Sequence, residues 1–559
     1  MFRATGVAHL MSISGLHITM FAWAASLMIA GVWRRSAKVT PRLCLALSAS
    51  SAGAMGGLLL AALYAAFSGW GVPAQRTIWM LAVVVLLRQS GRQWPWLQTW
   101  LLAMAVVVML DPWALMQSGF WLSFVAVGIL FATDSGASNA DRTVAQGQRD
   151  SRFLPLWLGW LKNGLLKSVK EQWVVTLALT PLTLLLFNQV SLIGLLANAV
   201  AIPWVTLLVT PLAMLGALYA PVWDAAAATV ALLTWFLQLL AGWALASVSV
   251  AAAPLWCAMA GVLGGALIAM RLPWSWRLLG IPLLLPVLLW QPARVAPGQF
   301  EVLGADIGQG NAVLVRTAGH ALLYDTGPRF SRESDAGHRV LVPLLRALGT
   351  RIDMLMLSHR DSDHTGGAPA VLAMQPQARL VSSIEDGHPL QGLRPSERCT
   401  AGQKWVWDGV NFEVLHPEAD DYDKPNKSNA MSCVLRISNG SQTALLVGDI
   451  EAAQESRLVS SHPDALKADF LLVPHHGSKT SSSEIFLDAV QPRLALAQAG
   501  YRNRFGHPAG LVAARYDDRV IRLIRSPQCG AAVWQTAKPL EIACQRQADR
   551  RYWHSAQPL

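Results

Sequence analysis

Residues 354–367 read Met-Leu-Met-Leu-Ser-His-Arg-Asp-Ser-Asp-His-Thr-Gly-Gly, an apolar run followed at once by two imidazoles and two carboxylates. Met354–Ser358 reads as one of the short alternating strands of the second half, so His359-x-Asp361-x-Asp363-His364 begins where that strand ends. In an extended segment alternate side chains share a side, so His359, Asp361 and Asp363 converge and His364 turns in from the next position. Ionisable groups this crowded pack poorly without a cation, whereas divalent ions give each of them a role.

The same placement recurs downstream. Asp449 ends the strand-like Leu445-Leu446-Val447-Gly448-Asp449, His475 and His476 follow Phe470–Pro474, and His507 lies in Phe-Gly-His-Pro after another strand. Donors repeated at strand ends fall on one rim of a sheet, which predicts a metal set of His359, Asp361, Asp363, His364, Asp449, His475 and His507. One partition puts His359, Asp361 and His475 on one ion, Asp363, His364 and His507 on the other, and shares Asp449. His476 either replaces His475 or donates a proton; Asp363, Asp449 and His476 are the expected catalytic side chains. Two divalent ions about 4 Å apart suit hydrolysis of a phosphate ester: they acidify a water, orient its attack and neutralise the leaving oxygen.

The rest of 298–559 supplies a scaffold. Short strands are predicted at Ala312–Thr317, Ala321–Asp325, Val410–Leu415, Cys433–Ser438, Thr443–Val447, Asp469–Pro474 and Arg493–Ala497. Helical patterns intervene at Arg339–Leu348, Gly367–Ala373, Ala453–Ser460 and Ser483–Val490, and Asn439-Gly440 predicts a type I′ turn. The alternation predicts layered sheets covered by helices.

Residues 1–297 are a different material. The whole chain is 53% hydrophobic and 14% charged, which excludes a disordered chain, a fibre or a single compact soluble domain. Residues 1–297 hold 17 of the 45 Lys+Arg and 6 of the 34 Asp+Glu, so they carry the entire net charge of +11. Residues 298–559 hold the remaining 28 bases and 28 acids and net zero. Twenty of the 24 Trp fall in the first part, as interfacial anchoring wants, and 11 of the 13 His in the second.

About ten spans are predicted: 17–33, 43–66, 77–87, 97–110, 118–133, 171–187, 192–219, 222–250, 254–270 and 276–290. Thr77–Leu87 and the Pro-broken 192–219 stretch are candidate re-entrant segments, and Phe153–Glu171 reads as a separate interfacial helix with Trp157 and Trp160. Arg34, Arg35, Lys38, Arg42, Arg88, Arg92, Lys162, Lys167, Lys170, Arg271 and Arg277 lie in loops of one face, with Arg76 and Arg294 the exceptions. The positive-inside rule makes that face cytoplasmic and delivers residues after Trp290 to the external side. A Cys529–Cys544 disulfide across a hairpin agrees with an external domain; buried free thiols are the alternative. The opening Met-Phe-Arg-Ala-Thr-Gly lacks a basic region with a cleavage site, so no cleaved signal is expected. His17, Arg76, Asn198 and Asp224 are polar groups in or near spans; His17 and Arg76 are the translocation candidates, with helix–helix bonding and snorkelling as the plainer readings.

The strand-end cluster resembles the metallo-β-lactamase superfamily, which usually has His-x-His-x-Asp-His; here Asp361 replaces the second His, an exchange that shifts preference from zinc toward manganese. Its join to a polytopic membrane part resembles the ComEC family of competence proteins over nearly the whole chain. The similar segments are Thr5–Ile18, Pro73-Ala74-Gln75-Arg76, Ser118–Phe124, Asp306–Asn311, Asp325-Thr326-Gly327 and Pro474–Ser478, with Asn311 standing where the family often has Asp. The resemblance implies a membrane domain over 1–297 and an αββα sandwich over 298–559. It also implies two divalent ions (zinc or manganese) and a location in the bacterial inner membrane. The implied function is DNA uptake in natural transformation: one strand passes inward and the external domain hydrolyses its complement. Single-stranded DNA, membrane lipids, other competence proteins and a second copy of the chain are the implied partners. Family members begin with further helices and a small β-rich DNA-binding domain, whereas this chain opens almost at its Ser-Gly-Leu-His motif; a fragment, a misassigned start or a reduced homologue, with weaker DNA capture, is therefore expected. The other readings are a membrane-anchored phosphodiesterase without a conduit and a degenerate remnant.

Overall fold

The computed structural model describes residues 2, 5–10, 15–91, 94–133, 156–243, 246–270, 272–551 and 554, the side chains of 41, 43 and 156–171 excepted. Met11–Ser14 of the opening motif, Arg92, Arg271, and the side chains of Trp157, Trp160, Lys162, Lys167 and Lys170 therefore lie outside the described residues. The chain divides into two compact units, Met1–Trp290 and Gln291–Leu559.

The first unit is helical and apolar. Gly15–Ser36, Ala49–Phe67, Gly194–Gly216 and Val222–Ala241 are long and apolar enough to cross a membrane by length and composition. Trp96–Leu110, Ser118–Ala132, Gln172–Phe187, Leu255–Ala269 and Trp274–Leu288 are shorter apolar helices. Large side chains such as Leu59, Leu63, Trp235 and Leu239 face outward, while Gly53, Gly57, Ala61 and Ala65 are buried at a spacing of four. A Cβ on Gly57 would lie 2.6 Å from Ala22 O, and one on Gly53 2.7 Å from Ser26 O. The small residues thus let two helix backbones touch, the packing expected where lipid removes the hydrophobic drive between helices.

Several expectations change here. Thr77–Leu87 is the middle of an 18-residue helix, Val72–Gln89, started by Gly71 and by Pro73 in its first turn. The 192–219 stretch runs helically from Gly194 to Gly216, because a π-helical segment at Val205–Val209 absorbs the prolines. Its neighbour stops at Ala241 rather than 250; Ser247–Ser249 instead pairs antiparallel with Gln189–Ser191 in a small ribbon. The expected interfacial helix and the following span are one continuous helix, Leu156–Phe187.

The second unit is a four-layer sandwich. One sheet has the order Ser396–Arg398, Arg379–Ser382, Met354–Leu357, Ala321–Tyr324, Val313–Arg316, Glu301–Gly304, Ala532–Gln535 and Ile542–Cys544. The other runs Lys404–Trp407, Val410–His416, Val434–Ser438, Thr443–Leu446, Phe470–Leu472, Leu494–Ala497 and Arg522–Arg525. Phe300, Val302, Tyr324, Phe412, Leu435, Phe470 and Trp534 fill the space between the sheets. Val342–Ala347 and Ala368–Met374 cover the outer face of the first sheet. Ala452–Ser461, Glu484–Val490 and Gly510–Asp518 cover the second. Burial on both faces explains why strands such as Met354–Leu357 and Leu494–Ala497 are continuously apolar rather than alternating.

The hairpin between Val434–Ser438 and Thr443–Leu446 is present, but its turn is not type I′. Asn439 N donates to Gln442 O, so Gly440 and Ser441 are the central residues, and only Gly440 has positive φ (+87°), the pattern of type II′. The Asn439 carboxamide accepts from the backbone N–H of Ser441 and Gln442, which holds Asn439 outside the turn centre. Cys529 is bonded to Cys544 as expected, and Cys399 pairs with Cys433, a link the sequence did not announce.

Trp534 ties the two sheets: its ring stacks on Phe470 at 5.3 Å and meets Phe300 edge-on at 5.7 Å. Trp534→Ala is expected to cost about 3–5 kcal/mol, read as an earlier urea midpoint for the β-sheet circular dichroism signal; an unchanged midpoint would contradict this packing.

Candidate metal centre

Parallel strands carry the donors to one rim. Ala321–Tyr324 and Met354–Leu357 run parallel and lead into Asp325 and into Ser358-His359. In the facing sheet Thr443–Leu446, Phe470–Leu472 and Leu494–Ala497 run parallel and lead into Asp449, into His475-His476 and into Gln498. Ligand sites of α/β folds gather beyond such carboxyl ends.

At that rim Asp363, His364, Asp449 and His476 offer ligand atoms that all lie within 4.8 Å of one another. Asp449 is the hub. Its Oδ1 lies 3.2 Å from His364 Nε2, and its Oδ2 lies 3.7 Å from His475 Nε2 and 3.4 Å from His476 Nε2. Asp363 Oδ2 is 3.4 Å from His476 Nε2 and 4.0 Å from His364 Nε2. The His359 ring centre is 4.1 Å from that of His364, and Asp361 Oδ2 is 3.7 Å from His359 Nε2. His507 stands one layer out, its ring centre 5.9 Å from that of His475 and 6.4 Å from that of His476. Thus His476, rather than His507, joins Asp363 and His364.

The hydrogen bonds around the rings decide which nitrogen faces inward. His364 Nδ1 lies 2.8 Å from Asp325 Oδ2, and a carboxylate only accepts, so Nδ1 carries the proton. His476 Nδ1 donates to Gln498 O at 2.9 Å for the same reason. Ser358 Oγ donates to Asp325 Oδ2, so it accepts from His359 Nδ1 at 2.9 Å. Each ring is left with an Nε2 lone pair aimed at the cluster. His359 Nε2, His364 Nε2, His476 Nε2 and Asp449 Oδ1 are buried without a hydrogen-bond partner among the described residues; the 3.2 Å approach of His364 to Asp449 lacks hydrogen-bond alignment. Buried polar atoms left so are costly, and a cation among Asp363, His364, Asp449 and His476 would satisfy those of that group. The residues present therefore fit divalent metal.

Asp325 and Ser358 are the residues sequence reasoning missed as site components. Asp325 is fully buried at φ +59° and also accepts from Ser358 N at 2.7 Å. Its signal was available: it ends a strand, as the other donors do. His475 and His476 both take left-handed backbone (φ +47° and +55°), strain of about 1–3 kcal/mol per residue that sends adjacent imidazoles to different partners. His476 turns into the cluster, and His475 turns toward Thr480 and Glu451. Gly310 lets a loop press on the centre, since a Cβ there would fall 2.2 Å from Asp363 O. The next residue, Asn311, is wholly buried, and both its amide atoms lack hydrogen-bond partners among the described residues.

Electrostatics follow from this crowding. Burial alone would raise the Asp449 carboxyl, but His364 and His476 hold it well below the usual carboxylate range. Burial opposes protonation of His476, yet Asp449 and Asp363 push it up to about 9, and Asp449 and Asp325 raise His364 likewise. Asp361 is pulled down to about 2, first by the His359 imidazole 3.7 Å away. Burial and then the His476 and His475 charges lower His507 to about 4. Without metal, protons on His364 and His476 balance Asp449.

In the helical unit His17 and Arg76 are both buried. Arg76 Nε and Nη1 have no hydrogen-bond partner among the described residues, and Gly119 packs against the guanidinium: a Cβ there would be 3.0 Å from Nη2.

Comparison with known proteins agrees with this division. The Competence protein family model matches residues 1–275, and the Metallo-beta-lactamase superfamily model matches residues 305–500. Competence protein ComA of Neisseria gonorrhoeae is 36% identical over 542 residues, covering 95% of this chain and 71% of that protein. Uncharacterized protein YcaI of Escherichia coli is 32% identical over 552 residues, covering 94% of this chain and 67% of that protein. Recombination protein 2 of Haemophilus influenzae is 29% identical over 562 residues, covering 91% of this chain and 65% of that protein. With its apolar helices joined to a metallo-β-lactamase-superfamily domain, the chain belongs to the ComA/ComEC-like family of competence proteins.

Proposed function

We propose that this chain brings DNA across the bacterial inner membrane during natural transformation. The helical part, residues 1–297 with about ten passages, conducts one strand, and the domain 298–559 hydrolyses the complement on the external side. Family membership supports the uptake role. The observation that carries the hydrolase role is the convergence of the His364 and His476 Nε2 lone pairs with Asp363 and Asp449.

In this reading Asp363, His364, Asp449 and His476 hold one divalent ion, and His359, Asp361 and His475 hold a second that shares Asp449. Such a pair supplies an acidified water and charge for the leaving oxygen, with zinc or manganese as the candidates. The chain's own residues fix the geometry. Asp325, Ser358 and Gln498 lock the imidazole tautomers, and the Asp449 carboxylate is placed between three rings. His507, neutral above about pH 4, offers its buried Nδ1 beside them. His17 and Arg76 are assigned to the strand's path, since a buried guanidinium whose Nε and Nη1 lack hydrogen-bond partners among the described residues suits a phosphate. The external placement is supported by the basic loops and by the two cysteine pairs, which an oxidising compartment preserves.

Asp449→Ala should lower phosphodiester hydrolysis by roughly 100-fold or more while the domain stays folded by circular dichroism; wild-type turnover would remove the shared-ligand role. Asp325→Ala, which frees His364 Nδ1, is expected to weaken metal affinity about 10–100-fold in a competition assay with a chromogenic chelator.

Metal must displace the proton that His476 holds up to about pH 9, so apparent affinity should climb as pH rises toward 9 and fall as pH drops. Calorimetry in buffers of different ionisation enthalpy should show proton release at pH 7; metal binding that is independent of pH would contradict the assignment. Deleting the gene should abolish transformation while DNA still binds the cell surface, and an unaffected deletion strain would reject the uptake role.

A further inference from the structure

Residues 501–505, Tyr-Arg-Asn-Arg-Phe, form a loop after the strand Leu494–Ala497, and its frame hangs on Asn503. The Asn503 Nδ2 donates to Gly500 O at 3.0 Å and His507 O at 2.6 Å, and its Oδ1 accepts from His507 N at 2.9 Å. With Asn503 turned inward, its four neighbours point out: Tyr501 is 55% exposed, Phe505 is 53% exposed, and both arginines are exposed. Each arginine lies over an aromatic ring, Arg502 at 5.3 Å from Tyr501 and Arg504 at 4.7 Å from Phe505.

This loop reaches the metal centre by contact. Phe505 stacks on His507 at 5.5 Å with an interplanar angle of 22°, and His507 borders His475 and His476. On its other flank Gly500 N donates to Gln309 Oε1 at 3.1 Å, and the following Gly310 presses on Asp363. No acidic residue occurs between Arg493 and Asp517, so nothing on this segment repels an anion. The hairpin Arg329–Asp335, which touches Ser362–Thr365, carries Glu333 and Asp335 beside its arginines and lacks that property.

Exposed Tyr and Phe interleaved with cations that make no ion pair among the described residues are a poor loop for water and a good one for unstacked bases and phosphates. A duplex keeps its bases stacked on each other and leaves both rings unused. A mononucleotide needs only one ring. We propose that Tyr501, Arg502, Arg504 and Phe505 form a clamp that holds single-stranded polynucleotide against the metal centre, setting the substrate class of the hydrolase. The clamp rests on the hydrolase reading above, and binding measured without turnover separates the two.

The test uses the full chain in lipid nanodiscs and a fluorescent 12-nucleotide single strand, with anisotropy read in chelator and hydrolysis read in manganese. Tyr501→Ala should weaken binding roughly fivefold to a hundredfold and raise KM with kcat nearly constant, and Tyr501→Phe should restore both. Arg502→Gln with Arg504→Gln should reduce the slope of log affinity against log salt by about 1.4. Wild-type affinity and salt slope in these variants, or equal preference for a blunt duplex, would overturn the clamp while leaving the hydrolase reading intact. Clamp-dependent binding with no hydrolysis of any phosphodiester would instead support the clamp and remove the hydrolase.

Discussion

One buried carboxylate organises the second unit. Asp449 is almost inaccessible to water, and three imidazoles lie within 3.7 Å of its oxygens. A lone anion in that position is strongly unfavourable. It persists because positive charge is supplied from two sheets at once: His364 from the first and His476 from the second. The sandwich must therefore close before the centre exists, and the centre in turn needs a cation or protons to stay closed. Folding and ligand binding share one electrostatic requirement.

The surrounding hydrogen bonds decide which nitrogen of each ring is offered to that positive charge. Asp325 serves His364 and Ser358 together, and Ser358 relays to His359, so one further buried carboxylate fixes two imidazole tautomers. Gln498, which also bonds Ala312 N through its side chain, fixes the third through its backbone oxygen. Gln498 thereby ties the second sheet to the strand that begins at Val313 in the first. The left-handed backbone at His475 and His476 is tolerated because both rings gain partners that an ordinary turn would deny them. The helical unit obeys a different rule. There small residues at Gly53 and Gly57 bring backbones together, and the large apolar side chains are left for a lipid-like surround.

Much of this was legible in the residue order. The switch from long apolar runs to short strands near residue 298, the strand preceding His359, and the repeated strand-end donors all follow from composition and periodicity. The Cys529–Cys544 link was one of two readings that the short hairpin between them allowed, buried free thiols being the other. Local backbone detail was less legible: Asn439 acts through its side chain and passes the turn to Gly440-Ser441, and the prolines near Val205 leave a helix running on through a π-helical segment. In both places a hydrogen-bond exchange with neighbouring residues outweighs the intrinsic preference of the residue type.

By itself, then, the sequence determined which residue types stand at strand ends and which segments are apolar enough to leave water, because period and hydropathy are local properties. Only the tertiary structure decided that His476 rather than His507 meets Asp363, that Asp325 backs His364, and that Cys399 reaches Cys433. Those pairings join residues from about 30 to more than 100 positions apart: Asp325 meets His364 because Ala321–Tyr324 and Met354–Leu357 pair as neighbouring parallel strands, and the other two depend on how two sheets stack face to face. A one-dimensional pattern carries no record of that stacking.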